Sequence, residues 1–222
     1  MRSRRVRYVA VIAGLLCVGA LLALSGRLLR GKTNLEDTIL AAYRAGAGYG
    51  APEIVYPLDE TLFPPEIVAP TFRWEDEHTQ ADTWLVSIEF SDGKPPLNFL
   101  SRSRQWTPSP EDWETVKARS LERDARVAVV GVTESAPEKV LSAGGVSIST
   151  SRDEVGAPLF YREVNLPFIE AVKDPSKICW RFGTISSPQQ PPVVLGGLPV
   201  CGNCHSFSSD GTVLGMDVDY AN

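Results

Sequence analysis

Between residues 72 and 182 the apolar residues are broken into runs too short for helices, and this limits the fold more than any other feature. Trp84, Val86, Ile88 and Phe90 alternate with Leu85, Ser87 and Glu89, and Asp92-Gly93 closes the run as a turn. A period of two turns one face of such a segment toward a core. Further runs of strand character cover residues 72–74, 97–100, 127–132, 145–150, 159–164 and 178–182, separated by Pro, Gly, Asp and Ser. About seven short strands in about 130 residues predict a β-sandwich. One helix interrupts them: Ser109 caps it, Pro110 takes the first helical position, Asp112 the third, and Trp113 and Val116 share a face as the segment runs to Leu121. It is expected to lie as a lid over one edge of the sandwich.

The first 32 residues are a different material. Arg2, Arg4, Arg5 and Arg7 precede an uncharged, largely apolar run over residues 8–26, and Arg27, Arg30 and Lys32 follow. Roughly 18 apolar residues just span a hydrocarbon core of about 30 Å, and the leading arginines hold that end in the cytoplasm. Residues 1–32 are therefore expected to be a transmembrane signal anchor that leaves the rest on the periplasmic side of a bacterial inner membrane. Ala23-Leu24-Ser25 before Gly26 leaves cleavage and secretion as the alternative. Cys17 is one more apolar residue of the span. Residues 34–44 read as a short helix with Asn34 as cap and Leu35, Ile39, Leu40 and Tyr43 on it. The small residues 45–50 read as a spacer, which makes 33–50 a helix and linker. With a net charge of -5 and no basic stripe beyond the first residues, a nucleic-acid partner is excluded.

Residues 51–184 are assigned to the sandwich. Residues 185–200, crowded with proline and glycine, are assigned to a linker that separates it from a second unit. That unit opens with Cys201-Gly202-Asn203-Cys204-His205, the spacing of covalent c-type haem attachment. Two thiols add across the two vinyl groups, and the adjacent imidazole becomes an axial ligand of the iron. With four Cys and two His in 222 residues, the pattern arises by chance roughly once in a thousand such chains. Other uses of the thiols stay open. A structural zinc site needs two further ligands, with only Cys179 and His78 outside the span to supply them. A thioredoxin-type pair normally opens a helix after a βαβ pattern, and a disulfide is strained across two intervening residues.

One covalent haem c is thus expected on Cys201, Cys204 and His205. Met216, the only methionine besides Met1, is a candidate for the distal iron ligand, with an ordinary core methionine as the other reading. His78 lies in a polar loop, Cys179 in a strand-like run. Arg152-Asp153-Glu154 with Arg162-Glu163 is either a partner or haem-propionate surface, or an exposed loop held by ion pairs. After a turn at Ser208-Ser209-Asp210-Gly211, residues 213–218 read as a strand with nothing following it to pair with. The chain is therefore expected to be an N-terminal fragment.

Two stretches carry a resemblance. Residues 145–164, from Gly145 through Arg152, Pro158 and Tyr161 to Val164, and residues 198–211, from Leu198 through the Cys201–His205 motif to Gly211, resemble haem-bearing bacterial proteins related to the hydrazine synthase alpha subunit. Those join a c-type haem to a TolB-type, WD40-like β-propeller, and residues 205–219 look like the opening strand-turn-strand of a propeller repeat. The resemblance covers residues 55–222. It implies thioethers at Cys201 and Cys204, a proximal His205, and a truncated first propeller repeat over 201–222. Residues 56–74, ending in Phe72-Arg73-Trp74, also look like the start of a fibronectin-type sandwich. A second haem motif, found in some relatives, is missing, and hydrazine synthesis is not implied. The fold expected is mainly β: a membrane helix, a fibronectin-like sandwich and the start of a haem-bearing propeller. The function expected is electron transfer or redox sensing with an unknown redox partner. A haem-dependent oxidoreductase acting on a small nitrogen or oxygen species, and a non-haem sandwich-propeller scaffold, are the alternatives.

Overall fold

The computed structural model describes residues 34–78, 80–198 and 201–219. The expected membrane anchor lies outside them; among the described residues no helix is long and apolar enough to cross a membrane. The chain is mainly β, with strands in several sheets.

The first unit is two sheets closed over one core. Strands β1 (Glu53–Tyr56), β3 (Phe72–Glu75) and β6 (Gln105–Trp106) form an antiparallel sheet in the order β1-β3-β6. Strands β2 (Thr61–Phe63), β4 (Thr83–Phe90), β5 (Leu97–Ser101), β7 (Ala125–Val132) and β8 (Ser142–Thr150) form a second sheet in the order β2-β8-β7-β4-β5. Its pairs are antiparallel except β2 with β8. Alternate residues of the strands meet between the sheets: Phe72 and Trp74 from one, Trp84, Val86, Ile88, Val127, Val129 and Ile148 from the other.

Helix α1 (Leu35–Ala42) explains why β4 is buried on both faces. Ile39, with Leu35, Leu40 and Tyr43 beside it, packs on Leu85, Val130 and Val132, the side of the sheet away from the main core. Asn34 occupies the cap position, but its side chain makes no cap bond. The segment 33–50 is therefore not a free spacer. Its apolar residues have a sheet face to cover, and Gly50 bridges to Ser142.

Helix α2 (Pro110–Arg119) begins as its sequence dictates, with Ser109 Oγ accepting from Asp112 N at 3.1 Å and Pro110 in the first turn. It stops before Leu121, and it is more than a lid. Trp113 and Val116 enter the core itself, Trp113 meeting Phe63 edge-to-face at 5.2 Å and donating Nε1 to Ile67 O at 2.9 Å. At the sheet end, Arg119 pairs with Asp92 at 2.9 Å and lies 3.9 Å from the Phe90 ring centre. The Arg119 hydrogen bonds are the main reason the Asp92 carboxyl is held down to about 2.

The second unit departs from the expected organisation. Strands β9 (Leu159–Glu163) and β10 (Cys179–Gly183) were expected in the sandwich, but they pair with each other and, through β10, with β11 (Val193–Gly196). The sequence boundary at 184–185 thus falls inside a separate three-stranded sheet. The supposed linker supplies one of its strands. Periodicity reveals a strand but not its partners, which is why both were misplaced. Helix α3 (Phe168–Lys173) and a 3-10 turn at Pro175–Lys177 connect β9 to β10. Ala171, Ile178 and Trp180 are buried there, with Phe160, Val164, Leu195, Leu198 and Met216 packed around them.

Candidate functional site

The motif forms a strand. β12 (Cys201–Phe207) pairs antiparallel with β13 (Leu214–Asp219), so the strand expected over 213–218 has a partner after all, the motif segment itself. The turn between them is built by Asp210, whose Oδ1 accepts from Ser208 Oγ at 2.5 Å, Thr212 Oγ1 at 2.8 Å and Thr212 N at 3.1 Å. Those bonds, the Ser208 hydroxyl first, hold the Asp210 carboxyl down to about 2. Gly211 takes the positive φ of 70° that the turn requires.

The register shows how the motif is carried. His205 lies opposite Met216, Gly202 opposite Val218 and Cys201 opposite Asp219. Between Gly202 and His205 the two residues Asn203 and Cys204 therefore face the single Asp217, a bulge in β12. Directly opposed residues share a face, so Gly202, His205 and Phe207 belong with Val218, Met216 and Leu214 on the side that meets the second unit's core. There the His205 ring packs edge-on against Phe160 at 4.8 Å, and Phe207 does the same at 5.4 Å.

Gly202 is held hardest. Arg162 donates Nη1 to its carbonyl at 2.7 Å. A Cβ at this position would stand 2.8 Å from both Met216 Sδ and Trp180 Cζ2, so glycine is what lets the strand seat against the indole. Trp180 is fully buried, and its Nε1 has no hydrogen-bond partner among the described residues. Cys204, by contrast, is an exposed free thiol, and His205 is exposed as well. Phe207 and Val213, 46% and 62% exposed, add open apolar surface beside them.

Of the other sequence candidates, only Arg162 is brought to this place. His78 lies on the first unit, its backbone N donating to the buried Asp76 at 3.0 Å and its ring against Gly50. Cys179 is a half-buried free thiol in β10. Arg152 pairs with Glu122 across exposed surface, and Glu163 pairs with Arg181. Among the described residues no three His, Cys, Asp or Glu side chains gather as metal ligands. Sequence reasoning missed Phe160 and Trp180, and named Arg162 only as part of a charged surface; all three seat the motif. Trp180 beside Cys179 in an alternating run was the available signal, but its contact with Gly202 depends on pairings that no local pattern encodes. No family model matches the chain, and no curated protein matches it either.

Proposed function

We propose that the chain is an exported, membrane-tethered c-type haem protein acting in electron transfer or redox sensing. The observation that carries this is the Cys201-Gly-Asn-Cys204-His205 motif with a Cys204 thiol that is exposed and unpaired and an imidazole that is exposed next to it. The donor set fits the group: Cys201 and Cys204 would form the thioethers, and His205 would ligate the iron. When bound, haem supplies a reversible one-electron couple. The chain's own residues would hold the segment that carries it: Arg162 and Trp180 anchor Gly202, which lies between the two cysteines in sequence, and Phe160 packs against His205.

The strand conformation sets a condition. Neighbouring residues of a strand project to opposite faces, so attachment at Cys204 with ligation by His205 requires the backbone to turn at Asn203-Cys204, the bulge that lacks ladder partners. Register also bears on Met216. Directly opposed side chains have Cβ atoms about 5 Å apart, and Met216 stands in that relation to His205. Met216, packed on Trp180 and Gly202, therefore serves the core while the hairpin stays paired. A second protein ligand to the haem would support the electron-transfer reading, and access for an exogenous molecule would support the second, an oxidoreductase acting on a small nitrogen or oxygen species.

The finer architecture belongs to the same proposal. The sheets β1-β3-β6 and β2-β8-β7-β4-β5 around one core support a fibronectin-like sandwich. The β12–β13 hairpin with its Ser208–Gly211 turn supports the first strands of a propeller repeat like that of the haem-bearing relatives. The arginine-flanked apolar run over residues 8–26 supports the anchor.

The test is expression of the full chain with a c-type maturation system and a pyridine haemochrome spectrum after acid-acetone extraction. Retained haem is expected, Cys204→Ala shifts the α band toward a single thioether, and Met216→Ala leaves the iron spectrum unchanged. Carbon monoxide binding to the reduced protein marks the oxidoreductase reading. Loss of all haem on extraction leaves only a scaffold and overturns the proposal.

A further inference from the structure

We propose that the chain binds a small aromatic carboxylate in the cleft between its two β units, with Arg73 as the anion-binding residue. The site is independent of the haem motif. Its floor is a cross-strand row on the three-stranded sheet of the first unit, in which Tyr56 of β1 and Gln105 of β6 are the register partners of Arg73 in β3. Phe72 and Trp74 on either side of Arg73 point into the core, so Arg73 faces outward, while Tyr56 is half-buried against the core and still lines the cleft. At about 4.8 Å between neighbouring strands, the row spans about 10 Å.

The facing wall comes from the second unit. Phe160 of β9 packs into that unit's core, which turns its neighbour Tyr161 the other way, toward the row. The loop 183–191, with Pro188 and Pro191, closes the end, and Val68 N donates to Ile185 O at 3.0 Å to hold the walls together. The cleft between them measures about 680 Å³, within the range of small-molecule sites, which favour such junctions.

Charge selects the ligand. Among the described residues that line the cleft, Arg73 is the only ionised side chain and none is Asp or Glu, although the chain as a whole carries a net charge of -5. The Arg73 guanidinium has no hydrogen bond or ion pair with any described residue, whereas Arg102, Arg104, Arg119, Arg152 and Arg181 are each paired with a carboxylate. A guanidinium presents a planar fork that matches a carboxylate bidentately. Gln105 next to it adds a neutral amide. Tyr56 and Tyr161 supply flat aromatic faces with hydroxyls that have no partner among the described residues. Burial pushes the Tyr56 hydroxyl up while Arg73 pulls it partly back, so it remains a neutral donor at the mouth of the anion site. A cation fork at one side and aromatic and proline rings around it fit a flat, apolar body with one carboxylate.

The probe is 4-methylbenzoate, compared with its neutral isostere 4-methylbenzamide, by ligand-observed NMR and calorimetry on the full chain. The acid is expected to bind at least about tenfold more tightly than the amide, and Arg73→Met to abolish that preference, with Arg73→Lys retaining part of it. Far-UV circular dichroism checks that the variants fold, and Tyr161→Ala, on the opposite wall, weakens both probes by removing ring contact. Equal binding of acid and amide, undiminished acid binding by Arg73→Met, or no acid binding up to about 10 mM overturns the proposal.

Discussion

Placing a methyl group on Gly202 tests the seat of the motif. The added carbon would lie 2.8 Å from Met216 Sδ, 2.8 Å from Trp180 Cζ2 and 2.9 Å from Trp180 Cη2, all closer than real side chains approach. Trp180 is fully buried and cannot retreat. Met216 is an unbranched thioether on the neighbouring strand and can. Overpacking of this kind costs about 1–3 kcal/mol. Gly202→Ala should therefore lower the urea midpoint of the second unit by about 0.5–1.5 M for an ordinary slope. The pair decides the mechanism. Met216→Ala alone leaves a partial cavity and destabilises by about 1–2 kcal/mol, at or below the usual range because the side chain is only partly buried. In the double variant the vacated space accepts the new methyl group, so the two losses should fall short of additivity by about 1 kcal/mol. Unfolding followed through Trp180 emission, with the other four tryptophans replaced by phenylalanine in a background shown to fold, reads the second unit alone. A Gly202→Ala protein within about 0.5 kcal/mol of its parent, or strictly additive losses, would refute the packing of β12 on Trp180 through Gly202.

Asp76→Asn should destabilise the first unit by about 2–4 kcal/mol in urea unfolding at pH 7, because Ser142 Oγ, Trp84 Nε1 and His78 N all converge on a carboxylate that is only 2% exposed. Burial raises the Asp76 pKa, but those bonds together outweigh it and lower it. With the folded pKa below the unfolded one, this stabilisation is present at neutral pH and lost as pH falls below about 4. The parent should accordingly lose stability faster in acid than the Asn variant, and parallel pH profiles would contradict the assignment. Ser109→Ala removes the hydroxyl that accepts from Asp112 N at 3.1 Å and should cost about 1 kcal/mol, read as a shift in thermal midpoint. In a proton titration by NMR, Ser208→Ala should raise the Asp210 carboxyl from about 2, since the Ser208 hydroxyl is its foremost hydrogen-bond donor.

Strand β4 and helix α2 show what the sequence makes legible. In β4 a large apolar residue recurs at every second position, and in α2 a serine, a proline and a tryptophan stand at fixed offsets. Both are local patterns with a local physical cause. β11 reads as linker because Val193-Val194-Leu195 has no alternation and lies in a stretch rich in proline and glycine, and it stays largely exposed in the fold. β12 was read for its chemistry alone. Cys-Gly-Asn-Cys-His carries no apolar period, and its strand state comes from pairing with β13 and from Gly202 fitting Trp180. The assignment of β9 and β10 to a separate sheet, the bulge at Asn203-Cys204 and the Tyr56–Arg73–Gln105 row all depend on register between distant segments. No stretch of the chain encodes that by itself.

A thioether is covalent, so haem attachment is read in a mass. After maturation in cells equipped to attach haem, digestion with trypsin should release the fragment beginning at Phe182, which contains both motif thiols. This fragment is expected to carry one macrocycle, to lose it when Cys201 and Cys204 are both replaced by alanine, and to be the one fragment that gains mass. A Phe182 fragment of unmodified mass, from cells in which a control cytochrome is fully matured, would contradict haem attachment.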